Sequence, residues 1–551
     1  MKKEDFPMSF PARWKHVGLL LCSLLAAIGP RSAYARLVPR GIGAVRQEKQ
    51  EETNRSETIQ YTLHPVVVNS HRLLDVVMRF PVPNGADHVT IQMPVWSPGD
   101  YHLQNHAEYV RNLSAWGDVG AAVQGQELAV KHADRNSWDV AVRGSKEVDV
   151  HYTLPETPPG LFSDNIRMRD NQIFWNGPAV FLYVVGRKQK PVSLVIQLPN
   201  GWQAQTALEK LPLRLPAGPD AAEYHAPDYD TLVDSPVVLA APGVISSRDF
   251  LVSGVPHRLV FFGKPIAKGV VDSYVSMLKR IVQSEMEIMR SLPYARYLFL
   301  FDVDGAPGGL EHLDCCRIGL PSRAALDQVA PHIAHELFHA WNVKRIRPLA
   351  LGPFDYVHPP RTRNLWFAEG VTDYYAYVAV RRAGLTTPEQ FLDHWNEAIH
   401  ALQGNPNRLQ VSADEASLRV WEDGYSSGFG GLSYYEKGAL IGLCLDLSIR
   451  GVTENRRSLD DVMRLLMRRH APPLPGYAED ELEAVINEVA GQDLSALYDR
   501  LARSTHELPL RECLGYAGLS TSARILPDGG PAQAALREDW LGPVNQNGEV
   551  P

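Results

Sequence analysis

Between about residues 59 and 258 apolar and polar side chains alternate with a period of two over short runs, at 73–80, 88–96, 147–154, 192–198 and 258–262. Alternate residues of a strand share one face, so this pattern predicts half-buried strands. Turn chemistry separates the runs, as in Pro83-Asn84-Gly85, Ser97-Pro98-Gly99-Asp100 and Pro158-Pro159-Gly160. An antiparallel β domain over 58–262 is expected. Near residue 271 the period changes. Val275, Leu278, Val282, Met286 and Met289 recur at helical spacing and an apolar strand follows at 297–303, which predicts a mixed α/β unit over 263–385. Helical spacing then dominates at 362–382, 388–403, 434–450, 459–469, 479–490 and 494–504, a helical domain over 386–518. The remainder, 519–551, is rich in Gly, Pro and Ala with little periodicity and is expected to be loose. The fold class is therefore α+β and multidomain, as a chain of 551 residues requires, since one core stops growing at roughly 250–300 residues.

The first 35 residues stand apart. Lys2, Lys3, Arg13 and Lys15 precede an apolar run at 17–28, and Ala33-Tyr34-Ala35 has the small-x-small form of a signal-peptidase site. The run is shorter than the ~20 residues a membrane span needs. The reading is an export signal over 1–35, a linker over 36–57, and a periplasmic or extracellular product with no stable membrane span. Loss of residues 1–35 would remove five basic and two acidic groups and move the net charge from -8 to -11. No basic stripe interleaved with aromatics is present, so nucleic acid is excluded as a partner. Beyond the signal, Cys315, Cys316, Cys444 and Cys513 are too sparse for a disulfide scaffold and lack zinc-ribbon spacing; their pairing is open.

The chemistry concentrates in His332-Ile333-Ala334-His335-Glu336-Leu337-Phe338-His339. His335 and His339 are one helical turn apart and project from nearly the same face, so two ring nitrogens can reach one ion. Glu336 points in a neighbouring direction, where a carboxylate can take a proton from metal-bound water without being a ligand. A catalytic zinc site commonly has three protein ligands. Glu369, set among apolar residues in Trp366-Phe367-Ala368-Glu369-Gly370, is the expected third, with a surface position or an Arg partner as the other reading. Asp373, one turn later, is either an acceptor for a ligand histidine or a solvated carboxylate. His332 is assigned to packing, because its angular offset leaves His339 the better partner.

Two further segments complete a pattern. Gly308-Gly309-Leu310-Glu311-His312 precedes the His-Glu-x-x-His helix, and Ser433-Tyr434-Tyr435-Glu436-Lys437-Gly438 follows it. Together with Trp366–Gly370 they resemble the gluzincin aminopeptidases and specifically the glycyl aminopeptidase family, related to the aminopeptidase N family. The likeness runs from about residue 59 to 518. It extends to Trp96-Ser97-Pro98-Gly99-Asp100-Tyr101 and to Trp341-Asn342-Val343-Lys344-Arg345-Ile346-Arg347-Pro348, for which no role is derivable. The resemblance implies a thermolysin-like catalytic domain and one Zn²⁺ per chain. It implies that Glu311, with Gly308 and Gly309, binds the free N-terminus of a peptide substrate. It also implies that Tyr435 (Tyr434 as the alternative) stabilises the transition state, and that small first residues such as Gly or Ala are preferred. Family members usually continue into a PDZ domain, and the 519–551 segment implies that it is missing or truncated. A zinc endopeptidase or other zinc hydrolase on the same fold, and a non-catalytic peptide-binding protein, are the rival readings. Oligomeric state is not legible.

Overall fold

Alternation along the first strands is what builds the N-terminal layer. In Ile59–Val68, His71–Pro81 and Glu147–Pro155 the inward residues Tyr61, Leu63, Val76, Met78, Phe80, Val148, Val150, Tyr152 and Leu154 are buried while their neighbours are not. These strands sit in an eight-stranded sheet ordered Glu209–Leu211, Ala221–Ala226, Val192–Gln197, Ile59–Val68, His71–Pro81, Glu147–Pro155, Arg111–Gly117, Gln126–Leu128. The sheet is antiparallel except where Ile59–Val68 runs parallel to Val192–Gln197. Two four-stranded sheets enclose the same core. The structure, a computed structural model, describes residues 57–542 except 119–124, 214–219, 324, 426–430 and 522–524. The expected export signal and nearly all of the expected 36–57 linker lie outside the described residues.

Two expected boundaries move. The run predicted at 88–96 is a strand only over His88–Gln92, because Met93-Pro94 leads into a buried, irregular segment that ends at Tyr101. The hairpin Ser246–Val252 and Val255–Gly263, assigned to the β domain from its alternation, belongs to the catalytic sheet. There it forms the edge of five strands ordered Ser246–Val252, Val255–Gly263, Tyr297–Val303, Cys315–Leu320, Gly309–Glu311. Alternation reports burial on one face and cannot say which sheet supplies the partner.

The helices Lys268–Met289, Leu326–Phe338, Val371–Arg382 and Tyr434–Val452 share one apolar core with this sheet. Those at Pro388–Gly404, Leu459–His470 and Glu481–Ala490 start and stop within about two residues of their periodic segments. The helix expected from 362 begins later. Thr362–Asn364 is non-helical, with Asn364 N–H donating to Thr362 Oγ1, and Trp366–Gly370 is a single π-helical turn leading into Val371–Arg382. The loose tail expected over 519–551 is corrected for the described residues up to 542; 522–524 and 543–551 lie outside the described residues. Leu519–Thr521 pairs with Ile525–Pro527, and the helix Pro531–Leu541 buries Leu536, Trp540 and Leu541. Trp540 Nε1 donates to Tyr374 Oη (2.9 Å) and Tyr374 Oη to Asp446 (2.6 Å), so this segment is packed onto the helical region. Among the described residues the four cysteines Cys315, Cys316, Cys444 and Cys513 are free of disulfides and buried; Cys315 and Cys316 face opposite sides of their strand. Among the described residues no helix is long and apolar enough to cross a membrane.

Candidate metal centre

The helix Leu326–Phe338 places His335 and His339 on its buried face, and Asn342 just beyond it anchors the next element. The Asn342 side-chain amide donates to Phe367 O (2.8 Å) and Thr372 Oγ1 (3.0 Å), tying the end of this helix to the π turn that carries Glu369. A π turn adds one residue to a helical cycle and so rotates a side chain out of the regular series, a device concentrated at functional sites. Gly370 in turn lies against Gly438: a Cβ on Gly370 would fall 2.5 Å from Gly438 Cα. Only glycine at both positions lets the Glu369 turn and the Tyr434–Val452 helix approach so closely.

These constraints bring three lone-pair donors together. His335 Nε2 and His339 Nε2 are 3.0 Å apart, and Glu369 Oε2 lies 3.1 Å from the latter and 3.6 Å from the former. Each ring spends its other nitrogen on an acceptor: His335 Nδ1 is 3.0 Å from Asp373 Oδ1, and His339 Nδ1 is 2.6 Å from Asn342 O. The ring protons are therefore assigned to Nδ1, which leaves both Nε2 lone pairs and a carboxylate converging on one point. Burial alone would depress both imidazoles, yet Asp373 and Glu369 hold His335 well above its ordinary value and Glu369 and Glu311 raise His339. Burial would also raise Glu369, but the two rings bring it down to about 2. Such a site demands positive charge. A proton serves only one donor pair; a divalent ion serves all three. Ligand atoms 2.0–2.1 Å from a tetrahedral zinc lie about 3.3 Å from one another, and the three separations bracket that value. Glu369 Oε1 has no hydrogen-bond partner and is buried. Residues and geometry fit zinc.

Around this triangle stand the other predicted residues. The Glu336 carboxyl is buried, which pushes it up to about 7 against the pull of His335 and His339, and its Oε2 has no hydrogen-bond partner. Gly309 is pressed against it; a Cβ there would overlap the Glu336 carboxylate. Gly308, with φ +92°, places its Cα hydrogen where a Cβ would meet the Phe162 ring at 3.1 Å. Gly309 and Glu311 occupy alternate positions of the strand Gly309–Glu311, so both present the same face to the site. Glu311 is buried, its Oε1 has no hydrogen-bond partner, and Lys344 Nζ lies 3.9 Å away. The Tyr435 ring is 6.0 Å from the His335 ring and nearly parallel to it, and burial keeps its phenol well above the ordinary range, hence protonated. Tyr434 is fully buried behind it. His332 stands outside the triangle as expected, but it faces the site: its Nδ1 is 4.0 Å from Glu336 Oε1, and burial lowers it to about 4, so it is uncharged.

Sequence reading missed four contributors. Asn342 and Lys344 lie in a segment that had no derivable role. Asp234 comes from the β domain, where it accepts from Leu313 N (2.7 Å), His312 Nδ1 (3.0 Å) and Lys344 Nζ (3.0 Å). Burial would raise its carboxyl, but Lys344 and His312 bring it down to about 2. Arg317, fully buried, donates to Asp302 (2.6 Å) and Ala306 O (2.7 Å) and so fixes the loop before Gly308. Nothing local marks Lys344 as a neighbour of Glu311, or Asp234 as a partner of either.

Comparison with known proteins agrees with this geometry. The profile of the peptidase M61 N-terminal domain matches residues 60–241 and that of the M61 glycyl aminopeptidase matches residues 328–441. A search of curated proteins finds no match. Among solved structures, an aminopeptidase N family protein from Idiomarina loihiensis superposes with a TM-score of 0.75 at 25% identity, over 84% of this chain and 79% of that one. A two-domain M1 zinc metallopeptidase, a mutant bound to L-arginine, superposes with a TM-score of 0.51 at 11% identity over 82% and 95%, a likeness of fold alone. With both profiles matched in order and the His335, His339, Glu369 triangle inside the second, the chain belongs to the M61 glycyl aminopeptidase family and is a zinc peptidase.

Proposed function

We propose that this protein is a zinc aminopeptidase that removes single, small N-terminal residues from peptides with a free α-amine. The carrying observation is the buried Glu311 carboxylate, whose Oε1 is without a hydrogen-bond partner, on the strand face that also abuts Glu336. Gly309 and Glu311 lie two residues apart on that strand, so one strand face carries the ammonium acceptor and, beside it, the approach to Glu336. A substrate ammonium held at Glu311 by a charge-assisted hydrogen bond directs the N-terminal end of the peptide toward Glu336.

His335, His339 and Glu369 would hold one zinc ion per chain, with Asp373 and the Asn342 carbonyl orienting the rings. Bound there, zinc would supply Lewis acidity toward the scissile carbonyl and lower the pKa of the attacking water. Glu336 takes the proton from the attacking water and passes it to the leaving amine, a task suited to a buried carboxyl poised near neutrality. Tyr435 donates its hydroxyl hydrogen to the developing oxyanion; a neutral, ring-held phenol needs little reorganisation to do so. The first side chain branches one bond from the amine, beside Glu311, where Trp96, Tyr101, Phe354 and Lys344 close the space, which favours hydrogen or methyl. The basic, apolar and small-x-small segments of residues 1–35 support export, placing the enzyme in the periplasm or outside the cell.

The test is hydrolysis of alanyl-glycine peptides with free and acetylated N-termini. Acetylation is expected to abolish cleavage; equal rates would establish an endopeptidase instead.

A further inference from the structure

Glu311 does not wait for a substrate ammonium alone. Lys344 Nζ lies 3.0 Å from Asp234 Oδ1 and 3.9 Å from Glu311 Oε1, and all three side chains are largely buried. Lys344 and Glu311 line the same small hollow, together with Gly99, Tyr101 and Trp96. Gly99, at φ +92°, has its Cα pressed against the Glu311 carboxylate, so the carboxylate has little freedom to swing away. Asp234 holds the ammonium from the far side and also fixes His312 and Leu313, the two residues after Glu311. The charges thus run anion, cation, anion.

We propose that Lys344, positioned by Asp234, is a resident cation of the amine subsite that tempers the grip of Glu311 on the α-ammonium of substrate and product. The inference rests on Glu311 as the amine acceptor. Its physical basis is that two ammonium groups cannot both approach one buried carboxylate without repelling each other, and this repulsion is strong where water is excluded. Lys344 cannot leave, because Asp234 keeps it. The incoming ammonium is therefore bound more weakly than by an isolated Glu311. The consequence falls on the product: a released amino acid still carries the ammonium but no longer the rest of the chain, so a tempered subsite lets it go.

The experiment uses zinc-loaded enzyme and two metal-binding probes that differ only in the amine, glycine hydroxamate and acetohydroxamate, with dissociation constants measured by calorimetry. In wild type glycine hydroxamate is expected to bind the tighter by roughly tenfold or more, and Glu311→Gln to bring the ratio to about one. Lys344→Met is expected to raise the ratio above wild type, by roughly tenfold, through glycine hydroxamate alone. The double variant Lys344→Met with Asp234→Asn, which removes both members of the buried pair and leaves no uncompensated charge from it, is expected to raise the ratio likewise. A merely structural role would weaken both probes together. A ratio unchanged or lowered in the double variant, with wild type and Glu311→Gln behaving as stated, overturns the tempering role and leaves the amine subsite standing. A wild-type ratio of about one removes the amine subsite itself.

Discussion

The metal triangle and the proposed amine subsite of this protein differ in how their charges are balanced. In the metal triangle three donors from two neighbouring helical segments face one point, and Asp373 and the Asn342 carbonyl saturate the outer ring nitrogens. In the Glu311 subsite the acceptor comes from a sheet edge, the nearby cation from the segment after the zinc helix, and the second anion from the β domain. On the proposed reading, one region keeps its cation and the other exchanges it. The difference follows from supply: a resident ion is held best by over-determined donors, whereas a passing ammonium needs a carboxylate whose own partner lies beyond ideal hydrogen-bonding distance.

That contrast can be broken from the metal side first. Glu369→Ala removes one of three ligands; zinc measured by plasma spectrometry after dialysis is expected to fall well below one per chain, and activity by at least about 10⁴-fold, restored in wild type but not in the variant by added zinc. Glu336→Gln separates holding the ion from using it. Zinc content should match wild type while kcat falls by about 10³- to 10⁴-fold, and a variant that turns over normally would exclude Glu336 as the base. Tyr435→Phe is expected to lower kcat by about 10²-fold with KM nearly constant, since the hydroxyl acts only when negative charge develops. A KM effect instead would move Tyr435 into substrate binding. The smallest effect belongs to Asp373→Asn, which keeps the shape but weakens the acceptor behind His335: zinc affinity in a competitive chelator titration should drop about 10- to 100-fold, with kcat of the loaded enzyme little changed.

Within the chain, what local sequence determined is what local geometry enforces. His335 and His339 share a helical face because four residues make about one turn, and alternation in 71–81 or 147–155 marks strands because alternate side chains must face one core. Glu336, Glu369, Asp373, Tyr435 and Glu311 were legible as candidates from residue type and motif order. The roles expected of them from spacing and resemblance needed the fold as their test, because roles depend on separations between segments distant in the chain. The tertiary structure alone decided that Ser246–Gly263 completes the catalytic sheet, that the helix Pro531–Leu541 seals the helical region through Trp540, and that Glu369 rides on a π turn against Gly438. It alone brought Asp234, 110 residues from Lys344, to the proposed amine subsite. A carboxylate in a turn after a short helix carries no local mark of its partners, since a long-range ion pair is set by packing of whole elements and not by the few residues on either side.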